Sequence, residues 1–195
     1  MIGHFRSVAP LVLLASLLAA VALPAAADNP RIGIETTLGY IELELYPDKA
    51  PRTVKNFLAY LEYEYFDDMI FHRVIDDWVI QTGNHDIELN SYETEPPIRN
   101  EATNGLKNVR GSVAMARGAD PHSASSQWFI NLADNPELDH RARTLRTYGY
   151  CVFGKVIEGM EVADAIGDIE TQAREGFKNL PVTSVVIKTA RLLNP

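Results

Sequence analysis

The chain has little cysteine, little positive charge and only one long apolar run. Cys151 is the sole cysteine in 195 residues, so no disulfide can close within the chain. Set between Tyr150 and Val152-Phe153, it reads as a small buried core residue even in an oxidising compartment. Lys and Arg total 18 against 26 Asp and Glu, a formal net charge of −8. The basic residues are scattered, and the nearest thing to a cluster is Arg141, Arg143 and Arg146 in one loop. Nucleic acid is therefore a poor partner, because its phosphates demand basic stripes. No Gly-x-Ser-x-Gly elbow is present, and Ser123, Ser125 and Ser126 near His122 lack a third residue to orient a base, which argues against a serine hydrolase. His85-Asp86-x-Glu88 and Asp139-His140 fall short of a metal-ligand set, so no metal is expected. Internal repeats, linkers and low-complexity tracts are absent as well.

The one long apolar run lies at the N-terminus. Met1 to Arg6 is a basic start, Val8 to Leu23 is broken only by Pro10 and Ser16, and Pro24 precedes Ala25-Ala26-Ala27. This is the pattern of a secretory signal peptide over residues 1–27, cleaved before Asp28. The run is short for the ~20 residues that span a bilayer. A lipoprotein would need a cysteine near the site, and twin-arginine export more than the single Arg6. The expected product is residues 28–195, soluble and periplasmic, without stable membrane insertion. Arg6 is the only charged residue removed, so the net charge moves from −8 to −9.

The remaining length suits one domain with a real core. Arg31–Thr36 and Tyr40–Leu45 alternate as strands, joined through Thr37-Leu38-Gly39 as a hairpin. Pro51 opens a helix whose buried stripe is Val54, Phe57, Leu58 and Leu61. Strands follow at about Met69–Ile75 and Trp78–Gln81, then a long surface loop from Thr82 to Lys107. Ser112–Arg117, Gln127–Leu132, Cys151–Val156 and Val182–Leu192 complete the strands. Met160, Ala163 and Ile166 mark a short helix that Gly167 can terminate. Seven or eight short strands and two helices give a mainly β fold, a closed antiparallel sheet with helices outside it.

Two segments carry polar residues where a core strand would not. Phe71-His72-Arg73-Val74-Ile75 and Trp78-Val79-Ile80-Gln81 set an arginine and a glutamine into apolar runs. An unpaired guanidinium is expensive to bury, so Arg73 either meets a carboxylate or faces an opening. In Gln127-Trp128-Phe129-Ile130-Asn131-Leu132 the even positions are apolar, which leaves Phe129 on the polar face between two amides. An aromatic displayed there is a candidate ligand contact.

Read in order, Phe71-His72-Arg73-Val74-Ile75 with Gln81, Met115-Ala116-Arg117, Ser125 to Asn131, Leu138-Asp139-His140 and Gly149 to Val156 resemble the cyclophilin family of peptidyl-prolyl cis–trans isomerases. The resemblance runs from about Ile32 to Leu193 and is closest to the bacterial branch, whose flavour Asn100 to Asn108 and Ala114 to Arg117 carry. It implies an eight-stranded barrel with a helix capping each end, an interior filled by side chains, and a groove on the outer face. It assigns Arg73 as the catalytic arginine, Gln81 as the glutamine that positions the arginine and the substrate carbonyl, and His72 as a groove histidine. Trp78, Val79, Phe129, Leu138 and Tyr150 match the proline pocket. Ala116 and Arg117 match the edge that bonds the substrate backbone, and Gln127 a further polar contact.

Some positions depart from the family. Asp76-Asp77 stands where relatives have a Pro-Gly or Asn-Gly turn, and Trp78 replaces the usual Phe. Gln81-Thr82-Gly83-Asn84 replaces a Gln-Gly-Gly run. Glu137 stands where animal relatives carry a tryptophan, Tyr150 where they carry a histidine, and the Arg141–Gly149 loop is longer than in some relatives. The implied partners are proline-containing polypeptides, including unfolded or partly folded exported proteins, met by a monomer without a cofactor. The rival is a binding module of the same fold that holds proline segments without turnover.

Overall fold

The computed structural model describes Gly3 and residues 28–194; the segment read as a signal peptide otherwise lies outside the described residues. Apolar residues at every second position set the first hairpin. β1 (Arg31–Thr36) and β2 (Tyr40–Leu45) bury Ile32, Ile34, Ile41, Leu43 and Leu45 completely. Their ladder pairs Ile34 with Ile41 and Ile32 with Leu43.

α1 (Pro51–Glu62) follows, with Pro51 in its first turn. Ala50 at its start offers no capping side chain, and the cap comes from far along the chain instead. Glu101 accepts hydrogen bonds from the N–H groups of Arg52 (3.3 Å) and Thr53 (2.9 Å) and from the Thr53 hydroxyl (2.8 Å). A carboxylate at a helix N-terminus also meets the positive end of the dipole. Thr53, Val54, Phe57, Tyr60 and Leu61 form the buried stripe, with Leu58 only partly covered. Phe57 packs on Trp128 and Phe153, ring centroids 5.7 and 5.2 Å away.

The rest of the main sheet is β3 (Arg73–Ile75), β4 (Val79–Thr82), β5 (Ser112–Met115), β6 (Trp128–Asn131) and β7 (Val152–Glu158). α2 (Met160–Gly167) follows, then a two-stranded hairpin of β8 (Thr171–Arg174) and β9 (Phe177–Pro181), and finally β10 (Ile187–Leu192). Eight strands run antiparallel in the order β10-β1-β2-β7-β5-β6-β4-β3. The closure expected from the sequence is not a continuous ladder: β10 and β3 are the sheet's two edges. The segments just before them approach each other, where Phe71 N–H donates to the Val185 carbonyl (3.0 Å) and Ile187 N–H to that of Met69 (2.8 Å). The sheet is therefore curled, with its edges tied by a short seam.

Two details differ from the sequence reading. α2 ends at Gly167, but Gly167 is its last, buried helical residue rather than a residue beyond it, and a Cβ there would come within 2.5 Å of Leu132 Cδ1, the movable end of a side chain. The strand expected from Val182 begins only at Ile187, because residues 171–181 fold back as the β8–β9 hairpin. No helix among the described residues is long and apolar enough to cross a membrane. Cys151 is buried beside the Thr53 hydroxyl (3.5 Å), and burial pushes its thiol up to about 11, as befits a core residue.

Candidate active site

Sheet register assembles one row of side chains across five strands. Arg73 on β3 lies opposite Gln81 on β4, Gln81 opposite Phe129 on β6, Phe129 opposite Ala114 on β5, and Ala114 opposite Val152 on β7. Cross-strand partners share a face. This row points away from the main core, whose own row is Val74, Ile80, Ile130 and Val113. Trp128 and Ile130 fill that core, while Phe129 joins a second apolar cluster with Val79, Ala114, Ala116, Leu138 and Val152. One strand thus builds the hydrophobic interior and the floor of an outer cavity.

That cavity holds about 290 Å³. It is lined by Arg73, Trp78, Val79, Gln81, Ala116, Arg117, Phe129, Leu138 and Tyr150. Nine of the site residues expected from the sequence are thereby brought together; His72 and Gln127 are not among the lining residues.

Arg73 is half-buried, and no carboxylate among the described residues forms an ion pair with it. Its Nη1 donates to Gln81 Oε1 (3.2 Å), and its guanidinium carbon lies 4.8 Å from the centre of the Trp78 ring. Of the two options the sequence left open, it faces an opening. Burial lowers its pKa from the ordinary value, partly opposed by Tyr150, yet a guanidinium remains charged. Gln81 Nε2 donates to Gln127 Oε1 (2.8 Å), so Gln127 steadies Gln81 from outside the cavity. Phe129 meets Tyr150 edge-on at 5.7 Å, and the Arg117 guanidinium lies 4.7 Å over the Tyr150 ring.

His72 departs from its expected place in the groove. It is 4% exposed, packed against His85 (ring centroids 4.6 Å) and Phe177 (6.0 Å). Burial, then the His85 charge, pushes its pKa down to about 3, which keeps it neutral. His72 stands just before β3, whose first residue, Arg73, takes the cavity side.

The departures from the family pattern find local explanations. Asp77 adopts the left-handed conformation (φ 50°) that a glycine would otherwise supply, and its N–H donates to the Asp76 carboxylate (2.8 Å). Thr82 extends β4 and donates to the Ile70 carbonyl (2.8 Å), so the chain after Gln81 is pinned in the sheet. Gly83 then turns at φ 100°, where a Cβ would meet the Ser126 carbonyl at 2.6 Å. The Trp78 indole N–H donates to Glu137 (2.8 Å), linking two of the substituted positions. Sequence reasoning missed the support behind Trp78: Asn135 Nδ2 and the Leu132 N–H both donate to its carbonyl, at 3.0 and 2.9 Å. Asn135 is in turn bonded to the fully buried Asn131. Only the unusual density of asparagine in this region signals that network.

Residues 31–192 match the family model described as cyclophilin type peptidyl-prolyl cis-trans isomerase/CLD. The chain belongs to the cyclophilin family. It is similar to peptidyl-prolyl cis-trans isomerase cyp18 of Streptomyces antibioticus, 47% identical over 83% of this chain and 98% of that protein. Peptidyl-prolyl cis-trans isomerase A of Dickeya dadantii is 42% identical over 96% of this chain and 97% of its own length. Among solved structures, a Cryptosporidium parvum cyclophilin type peptidyl-prolyl cis-trans isomerase superposes with a TM-score of 0.69 at 26% identity, covering 86% of this chain and 99% of that one. Membership makes this cyclophilin an isomerase whose substrates are proline-containing polypeptides.

Proposed function

We propose that this cyclophilin accelerates rotation about Xaa–Pro bonds in exported polypeptides, assisting their folding as a monomer, with Arg73 donating to the prolyl nitrogen. Such bonds are nearly balanced between cis and trans, but amide resonance sets a barrier of ~18–20 kcal/mol. Twisting the bond localises the nitrogen lone pair. A donor aimed at that nitrogen stabilises the twisted state more than either planar state, which is what catalysis requires. No nucleophile, metal or cofactor is needed.

In this reading the proline ring rests on Phe129, walled by Val79 and Leu138. Gln81 holds the preceding carbonyl and, through Arg73 Nη1, the plane of the guanidinium. Ala116 and Arg117 continue from the end of β5 as the edge along which the substrate backbone lies. His72 acts at one remove, through its contact with the Gln127 side chain, which in turn holds Gln81. The curled sheet is taken as a barrel closed through the Met69–Phe71 and Val185–Ile187 seam. The observation that carries the mechanism is the half-buried Arg73, which faces an apolar-floored cavity and forms no ion pair among the described residues. Another structure of the Cryptosporidium parvum relative was determined in the presence of the dipeptide Ala-Pro, a ligand of the class this cavity would take.

The decisive experiment follows cis–trans exchange of a short Xaa-Pro peptide with and without residues 28–195. Acceleration is expected. Tight peptide binding without acceleration would establish the binding-module alternative instead.

Export is a separate expectation that rests on the leader pattern. Intact-mass measurement of the protein recovered from its host should give a chain beginning at Asp28, in the periplasmic fraction. Recovery of residues 1–27 with the membranes would show an anchor.

A further inference from the structure

A second groove adjoins the catalytic cavity. Lys49, Arg52, Arg99 and Arg143 line an open cavity of about 310 Å³, which continues into one of about 330 Å³ sharing Arg99, Arg143 and Tyr148. None of these four cations makes an ion pair or side-chain hydrogen bond among the described residues. Two carboxylates also line these cavities, Glu101, which caps α1, and Asp120, which accepts from the His122 N–H (2.7 Å); both bond neutral donors and keep their charge, so the cations outnumber them four to two. Four unpaired cations thus converge in a chain whose net charge is −8. Leu145, 70% exposed, stands at the groove's far end as an apolar contact.

The groove and the catalytic cavity share a wall. Tyr148 lines the groove, and Tyr150 lines the cavity. The Gly149 carbonyl between them accepts from Asn100 Nδ2 on the groove side (3.0 Å) and from Arg117 Nε on the cavity side (3.1 Å). A polypeptide seated in the cavity and extending at roughly 3.3 Å per residue reaches the groove within a few residues. We propose that the groove is a second binding site for acidic side chains of the same polypeptide, so that segments carrying Asp or Glu near the Xaa–Pro bond are preferred substrates. This rests on the assignment of the catalytic cavity above. Compact point charges and exposed guanidinium groups suit carboxylates, and they act across water with little desolvation.

The test compares one neutral Xaa-Pro tetrapeptide with versions extended on either side by Glu, Gln or Lys residues. The field of a chain this acidic, acting alone, ranks lysine extensions first. The groove predicts the reverse order for at least one side. At low ionic strength the acidic version should exceed the glutamine version by about 3- to 10-fold in kcat/KM, through KM, the yield of two or three exposed ion pairs. About 0.5 M NaCl should erase the gain. The double variant R99S/R143S should erase it too, while turning over the unextended tetrapeptide at the normal rate. Equal rates for acidic and glutamine extensions on both sides, or a gain that persists in the double variant, would overturn the proposal. If the tetrapeptide itself is not accelerated, the cavity assignment fails instead. Titration of a proline-free acidic peptide against wild type and R99S/R143S then scores the groove alone: weaker binding by the variant supports it, and equal binding refutes it.

Discussion

Arg73→Ala should lower kcat/KM for an Xaa-Pro peptide by about 10²- to 10³-fold, the usual cost of removing one preorganised donor aimed at developing charge, or roughly 3–4 kcal/mol. The loss should appear in kcat, because the bond to the prolyl nitrogen strengthens only as the amide twists. Stability should change little. Arg73 contributes one hydrogen bond to Gln81 and a stack on Trp78, with no buried carboxylate left stranded when it goes. Folding free energy from urea titration is expected to stay within about 1 kcal/mol of wild type. Arg73→Lys should be nearly as damaging, since an ammonium cannot both hold Gln81 and stack its plane on Trp78 while pointing a second donor into the cavity. Turnover within a few-fold of wild type in a folded Arg73→Ala protein would remove Arg73 from the mechanism.

The placement of Arg73 is legible only in part. A two-residue turn at Asp76-Asp77 between the expected strands would set Arg73 opposite Ile80, but the loop takes in Trp78 as well, Ile75 pairs with Val79, and Arg73 comes to lie opposite Gln81. β1 and β2 are legible to the residue because their apolar alternation is complete and Gly39 marks the turn. The β8–β9 hairpin is not, since β8 is largely exposed and carries no apolar alternation. What holds it is tertiary: Phe177 packs on His72 and His85. The Trp78–Glu137 bond links residues 59 apart, and the Glu101 cap of α1 residues about 48 apart; no local pattern announces either. His72 allowed two readings, a groove histidine and a structural one. Resemblance put it beside Arg73 in the groove, although alternation along the expected strand already assigns adjacent residues to opposite faces.

The buried histidine leads to the second large effect. His72 and His85 lie ring to ring at 4.6 Å under Phe177, and the Nδ1 atoms of both are buried without a hydrogen-bond partner among the described residues. Burial lowers both pKa values, that of His72 to about 3. The Arg73 charge works in the same direction on His72, while contacts with the Gln127 side chain and the Ile70 backbone oppose it only in part; Asp86 opposes the shift of His85. Between pH 6.5 and about 3 the unfolded chain therefore binds a proton at His72 that the folded chain refuses. Stability is full above pH 6.5 and falls as the pH drops, by about 2 kcal/mol at pH 5 and about 4–5 kcal/mol near pH 3 from His72 alone. His85 adds to the loss with the same sign. Asp86 and Asp139, whose carboxyl pKa values are lowered, lose their contributions only as the pH falls through and below about 4, so the window from pH 7 to 5 reads the histidines. Urea titrations at pH 7 and pH 5 should therefore differ by about 2 kcal/mol or more, and the difference should shrink by about that amount in His72→Gln, which cannot take up the proton. Equal stability of the wild type at the two pH values would mean that water reaches the histidine pair and that His72 titrates as an ordinary surface group.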